Sequence, residues 1–179
     1  MAARGTQPVE VVAYDPRWPQ WYEQERDRIA AALGEGAVAI EHVGGTAVPG
    51  LPAKPVIDIM VGVPDIERAG QAVAGLINLG YQYVPELESQ LPERRYFRRG
   101  MPETHHVHMV AMSSDFWEEH VLFRDYLRTH PQAAEEYGKL KRGLAGRFRF
   151  DRDAYRAGKV PFIDTVVDAA RREAGRPSH

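Results

Sequence analysis

Glu41-His42-Val43-Gly44-Gly45-Thr46-Ala47-Val48-Pro49-Gly50-Leu51-Pro52-Ala53-Lys54-Pro55-Val56-Ile57-Asp58-Ile59-Met60-Val61 is the stretch whose reading decides the fold. Residues 37–43 form an apolar, strand-like run that stops at Gly44-Gly45-Thr46. A glycine pair permits positive φ and lets a ligand approach the backbone closely. Thr46 adds a hydroxyl. Residues 56–63 are almost wholly apolar, the pattern of a buried strand, and only Asp58 interrupts them. A charge inside a buried strand is unfavourable unless it is paired or coordinates a metal. Asp58 therefore needs a partner. It is either a hydrogen-bonded structural carboxylate or the carboxylate of a metal–phosphate site.

Around this stretch the composition is that of an ordinary globular chain. It has 179 residues, 44% hydrophobic and 27% charged, with a net charge of −2. So small a net charge gives no global field for nucleic acid. The absence of cysteine excludes thiol catalysis and zinc–thiolate sites and fits a reducing cytoplasm. No apolar run approaches the roughly 20 residues that span a bilayer, so no membrane association is expected. No Gly-x-Ser-x-Gly elbow, Walker phosphate loop or dinucleotide fingerprint is present. Residues 1–8 are expected to be disordered, 9–173 to form a single domain, and 174–179 to be a flexible tail.

The element pattern predicts an α+β fold: a mixed β-sheet with flanking helices and a helical C-terminal portion. Strands are expected at 9–14, 37–43, 56–63, 81–84, 94–99 and 105–112. Helices are expected from Pro19 to about Leu33, from an Asp65 N-cap to near Gly80, and after Ser114, with further helices starting at Pro131 and Pro161.

Several side chains are candidates for chemistry. Gly44, Gly45 and Thr46 offer backbone donors to phosphate oxygens, and His42 stands just before them. Lys54 sits on a loop stiffened by Pro49, Pro52 and Pro55, four residues before Asp58, as a charge partner for phosphate or for Asp58. His106 and His108 alternate along one strand face, a spacing suited to two imidazoles on one metal. Arg94, Arg95, Arg98 and Arg99 surround Tyr96 and Phe97; Arg95 shares a face with Phe97 and Arg99, Arg94 with Tyr96 and Arg98. Guanidinium groups suit phosphate, while an edge strand protected by charge is the plainer reading. Lys139, Lys141, Arg142, Arg147, Arg149, Arg152, Arg156 and Lys159 make the C-terminal half basic. They are either a patch for a phosphorylated ligand or solvated helix faces.

The run from His42 to Ile59 resembles the hallmark of the GrpB family. Val9-Glu10-Val11-Val12, Asp15-Pro16-Arg17-Trp18, Arg95-Tyr96-Phe97, His106-Val107-His108-Met109-Val110, Phe123 to Arg128, Asp151 to Tyr155 and Lys159 to Ile163 extend the likeness over most of the chain. The run also resembles the signature of the nucleotidyltransferase superfamily, a glycine turn followed by a strand with alternating carboxylates. The resemblance implies a polymerase-β-like fold, a nucleoside triphosphate held by His42, Gly44, Gly45, Thr46 and Lys159, and a divalent metal at Asp58, His106 and His108. Magnesium or manganese is expected, with a transition metal as the alternative. Asp58, Lys54 and Arg95 would carry nucleotidyl transfer to a small acceptor. One departure stands out: the second carboxylate of the superfamily strand would fall on Val56 or Met60, and neither binds a hard cation. The alternatives are a non-catalytic module for a phosphorylated ligand and a metal-dependent enzyme of another class.

Overall fold

The strand that carries Asp58 lies between one antiparallel and one parallel neighbour. In the computed structural model, which describes residues 7–177, five strands run in the order β1-β2-β5-β4-β3. They are β1 (Ala39–Val43), β2 (Ile57–Val63), β3 (Gln82–Tyr83), β4 (Arg94–Arg99) and β5 (His105–Ala111). Only β2 and β5 pair in parallel; the other neighbours are antiparallel. The register sets Asp58 opposite His106 and Met60 opposite His108. Five helices complete the fold: α1 (Trp18–Leu33), α2 (Gly70–Asn78), α3 (Asp115–Thr129), α4 (Pro131–Arg147) and α5 (Arg152–Glu173). None is long and apolar enough to cross a membrane.

Alternation along the strands divides the side chains between two faces. Ile57, Ile59, Val61, Phe97, Val107 and Met109 pack with Trp18 and Ile29 of α1 and Leu76 of α2. The opposite face carries Met60 and Val110 against Phe116, Trp117 and Val121 of α3. A separate apolar cluster, with Leu127, Tyr137 and Val166 at its centre, joins α3, α4 and α5 to Val48 and Leu51 of the proline-rich loop. Asp58 thus lies on the face turned toward the C-terminal helices, and the mixed α+β architecture read from the sequence is the one observed.

Three elements differ from expectation. Asp65 caps only a short 3₁₀ turn, Ile66–Arg68, and the helix expected from it, α2, starts at Gly70. The strand expected at 9–14 is reduced to one bridge, in which Val12 and Ala53 exchange backbone hydrogen bonds of 2.9 and 3.0 Å. Its partner segment contains Pro52 and Pro55, which have no N–H to extend a ladder. The last helix starts at Arg152 rather than at Pro161. Asp151 accepts from the Ala154 N–H as its N-cap, and Pro161 lies inside the helix. The expectations for residues 1–6, 178 and 179 fall outside the described residues.

On the α1 side, Glu25 is 3% exposed and ties three elements together. Its carboxylate accepts from both Arg99 nitrogens at 2.6 and 2.8 Å, from the Tyr81 hydroxyl at 2.9 Å and from Arg28 at 2.9 Å. Burial alone would raise the carboxyl's pKa, but Arg99 and Tyr81 hold it below the usual value. Glu25→Gln keeps the shape and removes the charge. It is expected to lower unfolding free energy by about 2 kcal/mol, the scale of a hydrogen bond to a charged group. Urea denaturation at pH 7 measures this, and an unchanged midpoint would show that the cluster adds nothing.

Candidate functional site

A cavity of about 440 Å³ separates the Asp58 face of the sheet from the C-terminal helices. Gly44, Gly45, Lys54, Asp58, His106 and His108 line it, and so does Lys159 from α5. Most of the candidates named from sequence therefore converge, because the parallel β2–β5 register sets the imidazoles beside Asp58.

The glycine turn makes room for charge on both sides. Gly44 has φ +74°, and a Cβ there would lie 2.7 Å from Asp58 Oδ2. At Gly45 a Cβ would lie 2.7 Å from Lys141 Nζ and 2.8 Å from the Ala53 Cβ. The turn's own hydrogen bonds run from Ala47 N to Gly44 O and from Val48 N to Gly45 O.

His42 and Thr46 have a different place from the one expected. His42 Nε2 lies 2.9 Å from Thr46 Oγ1, and that hydroxyl donates to the Val56 carbonyl at 3.3 Å. With its proton given to Val56, the hydroxyl accepts from His42 Nε2–H. The His42 ring stacks on Tyr22 with centroids 4.6 Å apart. These side chains form a buried strut that fixes the turn between β1 and β2, and neither lines the cavity. Arg95 also departs from expectation. It shares the parity of Phe97, so it points to the α1–α2 face, where it reaches Glu67 and Glu88 at 3.5 Å each. Arg94, with the parity of Tyr96, takes the cavity position.

Asp58 is engaged by its histidines. His106 Nδ1 is 3.2 Å from Asp58 Oδ1, and His106 Nε2 is 2.9 Å from Glu103 Oε2. An imidazole flanked by two carboxylates has a proton on each nitrogen. Burial pulls its pKa down, but the two carboxylates outweigh that and raise it. His108 Nε2 lies 3.7 Å from the same Asp58 oxygen, while its Nδ1 faces Arg94 at 3.4 Å. Burial would raise the Asp58 carboxyl; the hydrogen bond from His106 and the nearby His108 imidazole instead hold it well below the usual carboxylate range, fully ionised. The trio expected to hold a metal is thus brought together as a hydrogen-bonded chain, with both His106 nitrogens committed to carboxylates. Among the described residues, no group of three His, Cys, Asp or Glu side chains stands so as to hold a metal ion. The donor set does not fit a two-metal clamp, and Val56 and Met60 occupy the two places open to a second carboxylate.

Positive charge dominates the rest of the lining. Lys54, Arg94, Lys141, Arg152, Arg156 and Lys159 are six basic groups against two carboxylates, Asp58 and Glu119. The Nε atoms of Arg94 and Arg152 are buried without a hydrogen-bond partner, an arrangement that calls for an explanation. Desolvation lowers Lys141 to about 7 and Lys159 to about 8, with mutual repulsion adding to the effect on Lys141. Their ammonium groups lie over tyrosine rings, Tyr137 and Tyr155, each at 4.7 Å. Phe123, Tyr137, Tyr155 and Ile163 supply an apolar wall. Lys141, Arg152 and Arg156 were legible only as members of a basic C-terminal half. The signal that singles out Lys141 is its apolar setting on α4, next to the stripe of Tyr137, Leu140 and Leu144.

Comparison with known proteins bears on the family and the fold. The GrpB protein family matches residues 8–169. The UPF0157 protein YqkA of Bacillus subtilis is 38% identical over 165 residues, covering 92% of this chain; the chain spans 48% of that relative's length. The crystal structure of the conserved protein GrpB from Enterococcus faecalis superposes with a TM-score of 0.84 at 35% identity, over 93% of this chain and 100% of that one. A structure of the GLD-2/RNP-8 complex superposes with a TM-score of 0.57 at 12% identity, over 89% of this chain and 61% of that one. At that identity the likeness concerns the fold alone, which is of the nucleotidyltransferase, polymerase-β-like type. The chain belongs to the GrpB family.

Proposed function

We propose that the cavity binds a nucleoside triphosphate, or another small molecule bearing a polyphosphate, and that the protein transfers a nucleotidyl group from it to a small acceptor. The observation that carries the binding reading is the excess of cations, Lys54, Arg94, Lys141, Arg152, Arg156 and Lys159, around one cavity. Clustered guanidinium and ammonium groups in a partly desolvated cavity are what an anion would neutralise. The phosphates would lie by Gly44 and Gly45, among Lys54, Arg94, Arg152 and Lys159, with the remainder of the ligand against Tyr137, Tyr155 and Phe123. The transfer step rests on the fold type and on electrostatic stabilisation, the main requirement of phosphoryl-type chemistry. A second reading, a module that binds the ligand without reacting it, is favoured by one observation: Asp58 has no carboxylate partner along β2 and is already engaged by His106.

A thermal-shift series with ATP, GTP, CTP, UTP and tripolyphosphate tests the binding. Each is run without metal and with magnesium, manganese or zinc. A ligand held at about 100 times its dissociation constant adds roughly 2.7 kcal/mol of stability. At least one polyphosphate is expected to raise the melting temperature, and Arg94→Ala is expected to weaken that response at least tenfold in ligand concentration. No shift with any of them would remove the proposal. Pyrophosphate release with the binding nucleotide then separates transfer from simple binding.

A further inference from the structure

The donor set around Asp58 and the charge of the cavity disagree with a metal-bridged phosphate site, and the disagreement is consistent in its details. Three separate features bear on it. The groups that would ligate an ion already satisfy one another: His106 bridges Asp58 and Glu103, and His108 lies between Asp58 and Arg94. The two positions open to a second carboxylate hold Val56 and Met60, both buried and neither able to bind a hard cation. The cavity also brings its own cations. Six basic side chains and the protonated His106 face Asp58, Glu119 and, behind His106, Glu103, an excess of four positive charges when the lysines are protonated.

That excess discriminates between forms of the same ligand. A free triphosphate carries roughly four negative charges at neutral pH, since a terminal phosphate contributes up to about two. A bound divalent cation cancels about two of these. It also occupies the phosphate oxygens that guanidinium groups would otherwise contact in bidentate fashion. A pocket built around a metal complex needs fewer fixed cations and more carboxylates than this one has.

We infer that this cavity takes its polyphosphate ligand free of divalent metal, with Arg94, Arg152, Lys54, Lys141 and Lys159 supplying the neutralising charge. The inference rests on the phosphate-binding reading above. Asp58 then has a role other than ligation. It holds the His106 imidazole between two carboxylates and confines the anion to the basic side of the cavity by repulsion.

Titration calorimetry on the full chain tests this, with inorganic tripolyphosphate and ATP as probes, each in EDTA and in saturating magnesium. Binding is expected in EDTA and at least tenfold weaker when magnesium saturates the probe. Asp58→Asn preserves the size of the side chain and an acceptor for the histidines. It is expected to bind tripolyphosphate in EDTA as tightly as the wild type or more tightly, whereas Arg152→Ala is expected to lose at least tenfold. Binding that appears only with magnesium and disappears in Asp58→Asn would overturn the metal-free inference while leaving the phosphate site standing. Absence of binding by either probe in both buffers would overturn the phosphate reading itself.

Discussion

Lys141→Met is expected to raise the stability of the ligand-free protein by about 3 kcal/mol while weakening polyphosphate binding at least tenfold. The two effects have one cause. Lys141 is 3% exposed, and its ammonium group is held over Tyr137 beside Gly45. Desolvation, with Lys159 adding repulsion, lowers its pKa from 10.5 to about 7. Each pKa unit corresponds to about 1.4 kcal/mol, so the charged lysine opposes folding by roughly 5 kcal/mol at neutral pH. Methionine fills much the same volume without the charge, and the lost cation–π contact returns about 1–2 kcal/mol of that gain. For a chain of this size the remainder corresponds to a rise in melting temperature of about 6–12 °C. The sign also fixes a pH dependence. A lysine with a depressed folded pKa destabilises fully below about 7, and the penalty fades as pH rises toward 10.5. The gain from Lys141→Met is therefore expected to be larger at pH 7 than at pH 9.5. Lys139→Met is the control, because Lys139 is exposed and paired with Glu135 at 2.7 Å. A Lys141→Met protein that is less stable than the wild type, or that binds tripolyphosphate equally well, would show that the buried ammonium is structural. Stability conceded at one position and recovered as affinity is the expected mark of a binding site.

The sequence made part of this legible, and particular residues explain where it stopped. β1, the glycine turn and β2 were readable because an apolar run, a glycine pair and a second apolar run leave few other conformations. The helix after Ser114 was readable from its cap and from the spacing of Phe116, His120, Phe123 and Leu127. Ser114 does accept from the Trp117 N–H. Strand order was not readable, since the β2–β5 pairing joins residues 48 apart, Asp58 and His106, by a parallel register that no local signal encodes. The arginine assignment failed on parity. Alternation separated Arg94 from Arg95, but only the burial of Phe97 on the α1–α2 side decides which of them meets the cavity. The resemblance places His42 and Thr46 at the phosphate because it runs through the glycine turn. A strut that shapes such a turn has the same composition. Pro161 reads as a helix start because proline favours the first turn; Asp151, three residues before Ala154, is the cap that the structure uses. The basic residues of α4 and α5 could not be sorted by sequence, because a solvated helix face and a cavity wall use the same lysines and arginines until the third dimension is known.

Stability is expected to fall by about 3 kcal/mol between pH 7.5 and pH 5, well before ordinary carboxylates titrate. Four histidines, the buried His42 and the half-buried His105, His108 and His120, sit in settings that disfavour the charged ring. His42 is lowered to about 4 by desolvation in its strut, with Arg128 and Arg124 adding repulsion that Asp58 partly offsets. His120 is lowered to about 4 by desolvation and by His108; its Nδ1 is 2.8 Å from the Phe116 carbonyl and its ring stacks on Phe116 at 3.9 Å. His105 is lowered to about 4 by desolvation and by Arg99, but its greater exposure gives it less weight. In each case the folded pKa lies below the unfolded value of 6.5, so the unfolded chain binds more protons between about 4 and 6.5. The stabilising contribution is thus complete above 6.5 and is lost as pH falls toward about 4. At pH 5 this amounts to roughly 2 kcal/mol for each of His42 and His120. His106 works in the opposite direction. Its folded pKa is raised, so its contribution is present below 6.5 and is lost as pH rises through the folded value, which offsets part of the loss. Urea unfolding at pH 7.5, 6 and 5 reads the slope, and His120→Phe is expected to remove about two thirds of it. A flat profile from pH 7.5 to 5, with unfolding confined to lower pH, would mean that these rings are hydrated and that the packing around His42 and His120 is looser than their contacts imply.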